Sequence, residues 1–228
     1  MRIKRLSLLE GSLEARGLTV IIDVFRAFTC EPLLYRYGVE KIILESDIDT
    51  CLEMSGNYIR IGEQNELPID GFDLTNSPSH ILAKGNNYFF GKTIVHRTTS
   101  GVTGALNACK HSDEVLLASY VNARATATYI KEHHPELVSI VAMGIRSMEK
   151  APEDELCGDY IESLLTGRFY DHLQAMHEIL SHETAQKFLR GDKPYLPQED
   201  PCICLQRDIV DFALVVTQQN DLFLSTKR

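Results

Sequence analysis

The strongest constraint on the fold is an alternation of apolar runs with helix-patterned segments from residue 18 to residue 167. "LTVIIDVF" (18–25) is almost continuously apolar, as expected of a strand buried on both faces. "AFTCEPLLYRYG" reads as a helix stopped by Gly38, "VEKIILES" (39–46) as the next strand, and "DIDTCLEMS" as a short helix. "YIRIGE" (58–63), "KTIVHRT" (92–98), "EVLLASY" (114–120) and "ELVSIVAMG" (136–144) read as further strands. Helical patterns separate them, including one over 77–83 with Pro78 in its first turn. "PEDELCGDYIESLLTG" is a helix stopped by Gly167; helical pattern then runs to about Arg190, and "FALVVTQ" reads as a late strand. This order predicts an α/β fold, a layered α/β/α arrangement with a mostly parallel or mixed sheet. It reads as a single domain over 1–228, with 168–200 as an appended helical segment.

Charge and apolar content exclude several functions. With 228 residues and 44% hydrophobic residues a large core is available, and the net charge of -9 argues against a nucleic-acid partner. No apolar run reaches about 18 residues, so no membrane partner is expected. "MRIKRLSLLEGS" lacks the pattern of a secretory leader, and six scattered cysteines suit a reduced, cytoplasmic protein with buried thiols. Cys202 and Cys204 fit no common zinc spacing. The apolar C-terminal "DLFLSTKR" (221–228) is a stretch that a homo-oligomer would bury.

In open α/β sheets ligands collect beyond the carboxyl ends of strands. The expected strand ends carry Asp23 with Arg26, Glu63, the run Thr98-Thr99-Ser100-Gly101, Asn122, and Arg146 followed by Glu153 and Asp154. After Glu63 comes a long polar loop, "QNELPIDGFDLTNSPSH", which holds Asn76 and Ser77; loops of that length are more often functional than idle. Each piece also has a structural reading. Thr98, Thr99 and Ser100 cap a helix or form an anion nest. Asp23 and Arg26 form an ion pair or a site. Asn76-Ser77-Pro78 is a cap or a substrate contact. Glu153 and Asp154 suit the helix dipole, and Cys157, beside Leu156, Tyr160 and Ile161, reads as a packed core thiol.

Taken in order, "DVFRAFT", "GE" with "GFDLTNSPSHI", "RTTSGVTGAL", "ASYVNARATA" and "MGIRSMEKAPEDELCGDYI" resemble the 2-phosphosulfolactate phosphatase family, the ComB-like proteins, over about residues 20–165. The resemblance implies a ComB-like α/β fold and a magnesium-dependent phosphatase. The implied substrate is a three-carbon acid bearing phosphate and sulfonate, on the route to coenzyme M. Two departures stand out: Ser100 replaces the asparagine of a Thr-Thr-Asn-Gly motif, and Phe28 replaces a hydroxyl residue.

Phosphoester hydrolysis demands charge neutralisation and positioning, and magnesium takes one or two carboxylates plus waters and phosphate. The expected metal ligands are Asp23, Glu63, Glu153 and Asp154. The expected catalytic residues are Asp23, Arg26, Glu63 and Cys157. Asn76, Ser77, Thr98, Thr99, Ser100, Gly101, Asn122 and Arg146 are expected to bind the substrate, a small phosphate ester. Asp23, Cys157 and a water are the candidate nucleophiles. Two alternatives stay open: a non-catalytic anion-binding module, and a phosphatase of another small phosphomonoester.

Overall fold

The computed structural model describes residues 1–228. The strands are β1 (Arg2–Ser7), β2 (Leu18–Ile22), β3 (Lys41–Leu44), β4 (Tyr58–Gly62), β5 (Thr93–Arg97), β6 (Glu114–Ala118), β7 (Leu137–Ala142), β8 (Leu214–Gln219) and β9 (Leu222–Lys227). The helices of the first half are α1 (Leu8–Glu14), α2 (Ala27–Arg36), α3 (Ile48–Glu53), α4 (Pro78–Lys84), α5 (Asn86–Phe89) and α6 (Gly101–Ala108). Those of the second half are α7 (Ala123–His133), α8 (Pro152–Thr166), α9 (His172–Ser181), α10 (Glu183–Leu189) and α11 (Asp200–Cys204).

The nine strands form one mixed sheet in the order β1-β7-β2-β6-β8-β9-β3-β5-β4. β1, β7, β2 and β6 are mutually parallel, as are β3, β5 and β4; the antiparallel hairpin β8–β9 stitches the blocks together. Both outer joins of the hairpin are also antiparallel, so the two blocks run in opposite senses. In a flat sheet their carboxyl ends would lie at opposite edges. β8 meets β6 only at Leu116 and Leu117, and β9 meets β3 only from Ile42 to Leu44. Residues that follow β2 and β7 of one block and β4 and β5 of the other nonetheless line one cavity.

Strand alternation feeds two large apolar layers. Ile21 and Leu117 join Phe28, Ile42, Ile61, Ile94 and Val102 on one face. Val20, Ile22, Leu116 and Ala118 join Tyr120, Ile140, Cys157, Ile161 and Ile179 on the other. Every residue of β2 is buried, which matches its unbroken apolar run. Gly167 ends α8 in the left-handed conformation (φ 77°), where a Cβ would be costly.

The C-terminal reading requires a correction. The 221–228 run is not a tail: β9 lies inside the sheet, paired with β8 and β3. β1 and α1 lie before the alternation that sequence pattern revealed. No helix is long and apolar enough to cross a membrane.

Candidate active site

The loops after β2, β4, β5 and β7 enclose a cavity of about 40 Å³, and the first turn of α8 and the end of α10 complete it. Asp23, Arg26, Glu63, Asn76, Thr99, Ser100, Arg146, Glu153 and Asp154 all line it. Sequence reasoning thus named nine of its residues. They come from five separate places along the chain, and only the fold unites them.

Backbone hydrogen bonds fix the acidic groups. Asp23 follows β2, and its Oδ1 accepts from the Ala27 N–H at 3.1 Å, holding the start of α2. Gly101 opens α6 against the same carboxylate; a Cβ there would lie 2.7 Å from Asp23 Oδ2. Asp154 accepts from Val24 N–H at 2.7 Å and from Gly144 N–H at 2.8 Å. Glu63 accepts from Thr99 N–H at 2.6 Å and Glu66 N–H at 2.6 Å, and from the Thr99 hydroxyl at 3.1 Å. Glu153 accepts from the Thr184 hydroxyl at 2.8 Å.

Three of these carboxyls crowd one another away from water. Burial pushes Asp23 up to about 6, the Ala27 and Gly101 amides opposing and the Glu63 charge adding. Burial pushes Glu153 up to about 7; the Thr184 hydroxyl and Lys187 oppose, and Asp23 adds. Asp154 is raised well above the carboxylate range by burial first, then by Asp23 and Glu153. Desolvated like charges of this kind call for a cation or for protons.

The donor set fits magnesium in its usual open form. All candidate ligand atoms are oxygens, as a hard cation requires. Asn76 Oδ1 is buried without a hydrogen-bond partner, and its side chain lines the same cavity. No three His, Cys, Asp or Glu side chains stand close enough to share one ion. The expected set of Asp23, Glu63, Glu153 and Asp154 is therefore not a closed cage, and an ion here would keep waters and take phosphate oxygens. Glu63 and Asp154 each also accept two backbone amides, so an ion would share their lone pairs with those donors.

Other expectations are corrected. Cys157 does not line the cavity; it is fully buried in an apolar layer, where burial pushes its thiol well above its ordinary value. That removes it as a nucleophile, since the thiolate is the reactive form. Thr98 caps α6, its hydroxyl accepting from Val102 N–H at 2.9 Å. With Gly101 set against Asp23, the helix start is engaged by this chain's own side chains rather than left open as an anion nest. Ser77 caps α4 and donates to Asp200 at 2.9 Å. Asn122 is buried, its amide accepting from Ser119 N–H and donating to Leu117 O, each at 2.9 Å. Thr98, Ser77, Gly101 and Asn122 thus support the cavity without lining it.

Arg26 does not pair with Asp23. Its Nη1 donates to Asp200 at 2.7 Å and to Tyr195 O at 3.0 Å, and its guanidinium lies 5.3 Å from the Phe188 ring centroid. Of the two departures from the family pattern, Ser100 lines the cavity while Phe28 is fully buried in the core.

Sequence reasoning missed Glu66, Lys187, Phe188 and Leu196 in the lining, and Asp200 behind it. Glu66 lies in the loop singled out for its length. The others lie in or beside the 168–200 segment, which is built into the site rather than merely attached.

The model of the 2-phosphosulpholactate phosphatase family matches residues 4–219. The chain belongs to that family. A Bacillus subtilis (strain 168) relative named probable 2-phosphosulfolactate phosphatase is 28% identical over 217 residues, covering 92% of each chain. A relative of the same name from Caldicellulosiruptor saccharolyticus is 30% identical over 212 residues, covering 84% of this chain and 86% of its own. A third, from Clostridium botulinum (strain Eklund 17B / Type B), is 34% identical over 149 residues, covering 63% of this chain and 60% of its own. The family match extends through α9, α10 and β8, beyond the motifs that carried the resemblance.

Proposed function

We propose that this chain hydrolyses 2-phosphosulfolactate to sulfolactate and phosphate, with magnesium as its cofactor. The observation that carries the reading is the buried acidic trio Asp23, Glu153 and Asp154 in one cavity rimmed by Arg26, Arg146 and Lys187. Such a site suits an ester whose anionic groups meet the cations while its phosphoryl group meets a divalent ion.

Glu153 and Asp154 would hold the ion; each oxygen of an ionised carboxylate has more than one lone pair, so bonds to amides and hydroxyls leave room for it. Magnesium, when bound, neutralises phosphoryl oxygens and stabilises charge that builds up on them. Ser100 and Asn76, which line the same cavity, orient the ester, and Glu63 keeps the Thr99–Ser100 turn in place. Arg26, fixed by Asp200, offers its remaining N–H groups to phosphate oxygens.

Asp23 takes the proton of the attacking water. Its carboxylate lines the cavity together with Glu153 and Asp154, within the space where the ester would be held. The water oxygen bonds to phosphorus, the ester P–O bond breaks, and a proton ends on the released hydroxyl of sulfolactate. Acid quench of labelled substrate tests this assignment: no label stays on the protein if water attacks, and an acyl phosphate would assign attack to Asp23 instead.

The function itself is tested by phosphate release from a panel of small phosphomonoesters, with magnesium and with chelator. The reading expects 2-phosphosulfolactate to be the best substrate and the chelator to abolish its turnover. Turnover unaffected by chelator, or a strong preference for another ester, would overturn it.

A further inference from the structure

We propose that Lys187 and Arg146 form the subsite for the acidic groups of the substrate that are not transferred, and that Glu66 holds this pair as an internal anion until the substrate displaces it. The proposal rests on the phosphatase reading above and specifies how the acid tail is recognised. Glu66 Oε1 pairs with Lys187 Nζ, and its Oε2 lies 3.4 Å from Arg146 Nη2. All three side chains line the cavity that contains Asp23, Glu153 and Asp154.

The two cations arrive from unrelated parts of the chain, Arg146 from the turn after β7 and Lys187 from α10. The Lys187 side chain is only 17% exposed, so its ammonium is partly withdrawn from water and needs an anion beside it. One carboxylate now serves both cations. A substrate acid that replaced it would keep the charges matched, so neither state leaves a half-buried cation alone.

Glu66 and Arg146 also sit on turns closed by backbone hydrogen bonds. The first turn is closed by reciprocal Gln64–Leu67 backbone bonds of 2.9 Å, with Asn65 and Glu66 at φ 51° and 71°. The second is closed by Ile145 N–H to Glu149 O at 2.8 Å, with Arg146 and Ser147 at φ 52° and 58°. Non-glycine residues held in this left-handed region concentrate at ligand clamps and switch regions. Here the two strained tips are joined through their side chains, both of which line the cavity.

Two variants of the full chain, assayed with magnesium, test the proposal. The probes are 2-phosphosulfolactate and glycerol 2-phosphate, which keeps the three-carbon frame and lacks the acid groups. Lys187→Met should shift the kcat/KM ratio between them by about tenfold or more against 2-phosphosulfolactate, as expected when one partner of a desolvated charge pair is lost. Glu66→Gln should lower the inhibition constant of sulfolactate severalfold while leaving that of inorganic phosphate unchanged. A gain in acid binding is not the result of general structural damage. An unchanged ratio in the first variant, or weaker sulfolactate binding in the second, would overturn the subsite. If the wild-type chain turned over no 2-phosphosulfolactate, the functional reading would fail; calorimetric titration of the same proteins with sulfolactate would still decide the subsite.

Discussion

The Asp154 carboxylate accepts the Val24 amide at 2.7 Å, which ties the first turn of α8 to the end of β2. Its second oxygen accepts the Gly144 amide at 2.8 Å, so the same side chain also fixes the end of β7. One buried residue thus sets the spacing of two neighbouring strand ends while facing the cavity.

Asp154→Ala should therefore cost stability as well as activity. Two buried donors lose their acceptor, at roughly 1–3 kcal/mol each, partly offset by relief of charge crowding. Urea denaturation at pH 6 should show a loss of about 2 kcal/mol or more, together with loss of phosphate release. Unchanged stability would mean that the strand ends are held by something else.

The raised carboxyls fix the pH dependence of stability. The folded-state values of Asp23 and Glu153, about 6 and about 7, exceed their ordinary 3.8 and 4.5. The folded state therefore binds more protons than the unfolded state between about pH 4 and pH 7, and this contribution to stability is lost as pH rises through that window. In chelator, melting temperature should fall between pH 5.5 and pH 8. Saturating magnesium binds the ionised forms and should remove most of that fall. A melting profile insensitive to magnesium at pH 8 would argue against a cation at these carboxyls.

Glu153→Gln separates the two roles of its charge. The amide oxygen can still accept from Thr184, while repulsion with Asp23 and Asp154 disappears. At pH 8 without magnesium the variant should melt higher than the wild type. Its apparent magnesium affinity, read from activity against ion concentration, should be lower. A variant that melts lower and keeps its magnesium affinity would contradict this.

Cys157→Ala should behave as a core substitution. The thiol is fully buried among Val20, Ile22 and Ile161 and does not line the cavity. The expected result is a loss of about 1 kcal/mol of stability with turnover within about twofold of wild type. Loss of turnover without loss of stability would return Cys157 to the chemistry.

Much of this molecule is legible in its sequence because local forces write it there. β2 announces itself as a run buried on both sides, and its terminal Asp23 is where the site begins. Pro78 opens α4, Gly167 closes α8, and Thr98 caps α6, each a short-range matter of backbone donors and φ angles. What stayed hidden was set at long range. Lys187 belongs to a short amphipathic helix whose pattern shows an apolar side but not the Glu66 carboxylate across the cavity, 121 residues away in sequence. Asp200 looks like an ordinary helix-start acid until Arg26, 174 residues earlier, is placed against it. β9 has six residues, as long as any strand of the sheet, but its pairing with β8 and β3 is what marks it as a central strand rather than an apolar tail. Cys157 is the converse case: its helical neighbours Leu156, Tyr160 and Ile161 mark it as a packed core thiol, and packing rather than chemistry governs that position.

The most direct test of the account is phosphate release from 2-phosphosulfolactate by the wild type and by Asp23→Asn, each with magnesium and with chelator. The account predicts magnesium-dependent turnover in the wild type and a loss of about 10²-fold or more in Asp23→Asn, comparable to losing one strong transition-state interaction. Near-normal turnover by Asp23→Asn would contradict the claim that these converging carboxylates carry out the chemistry.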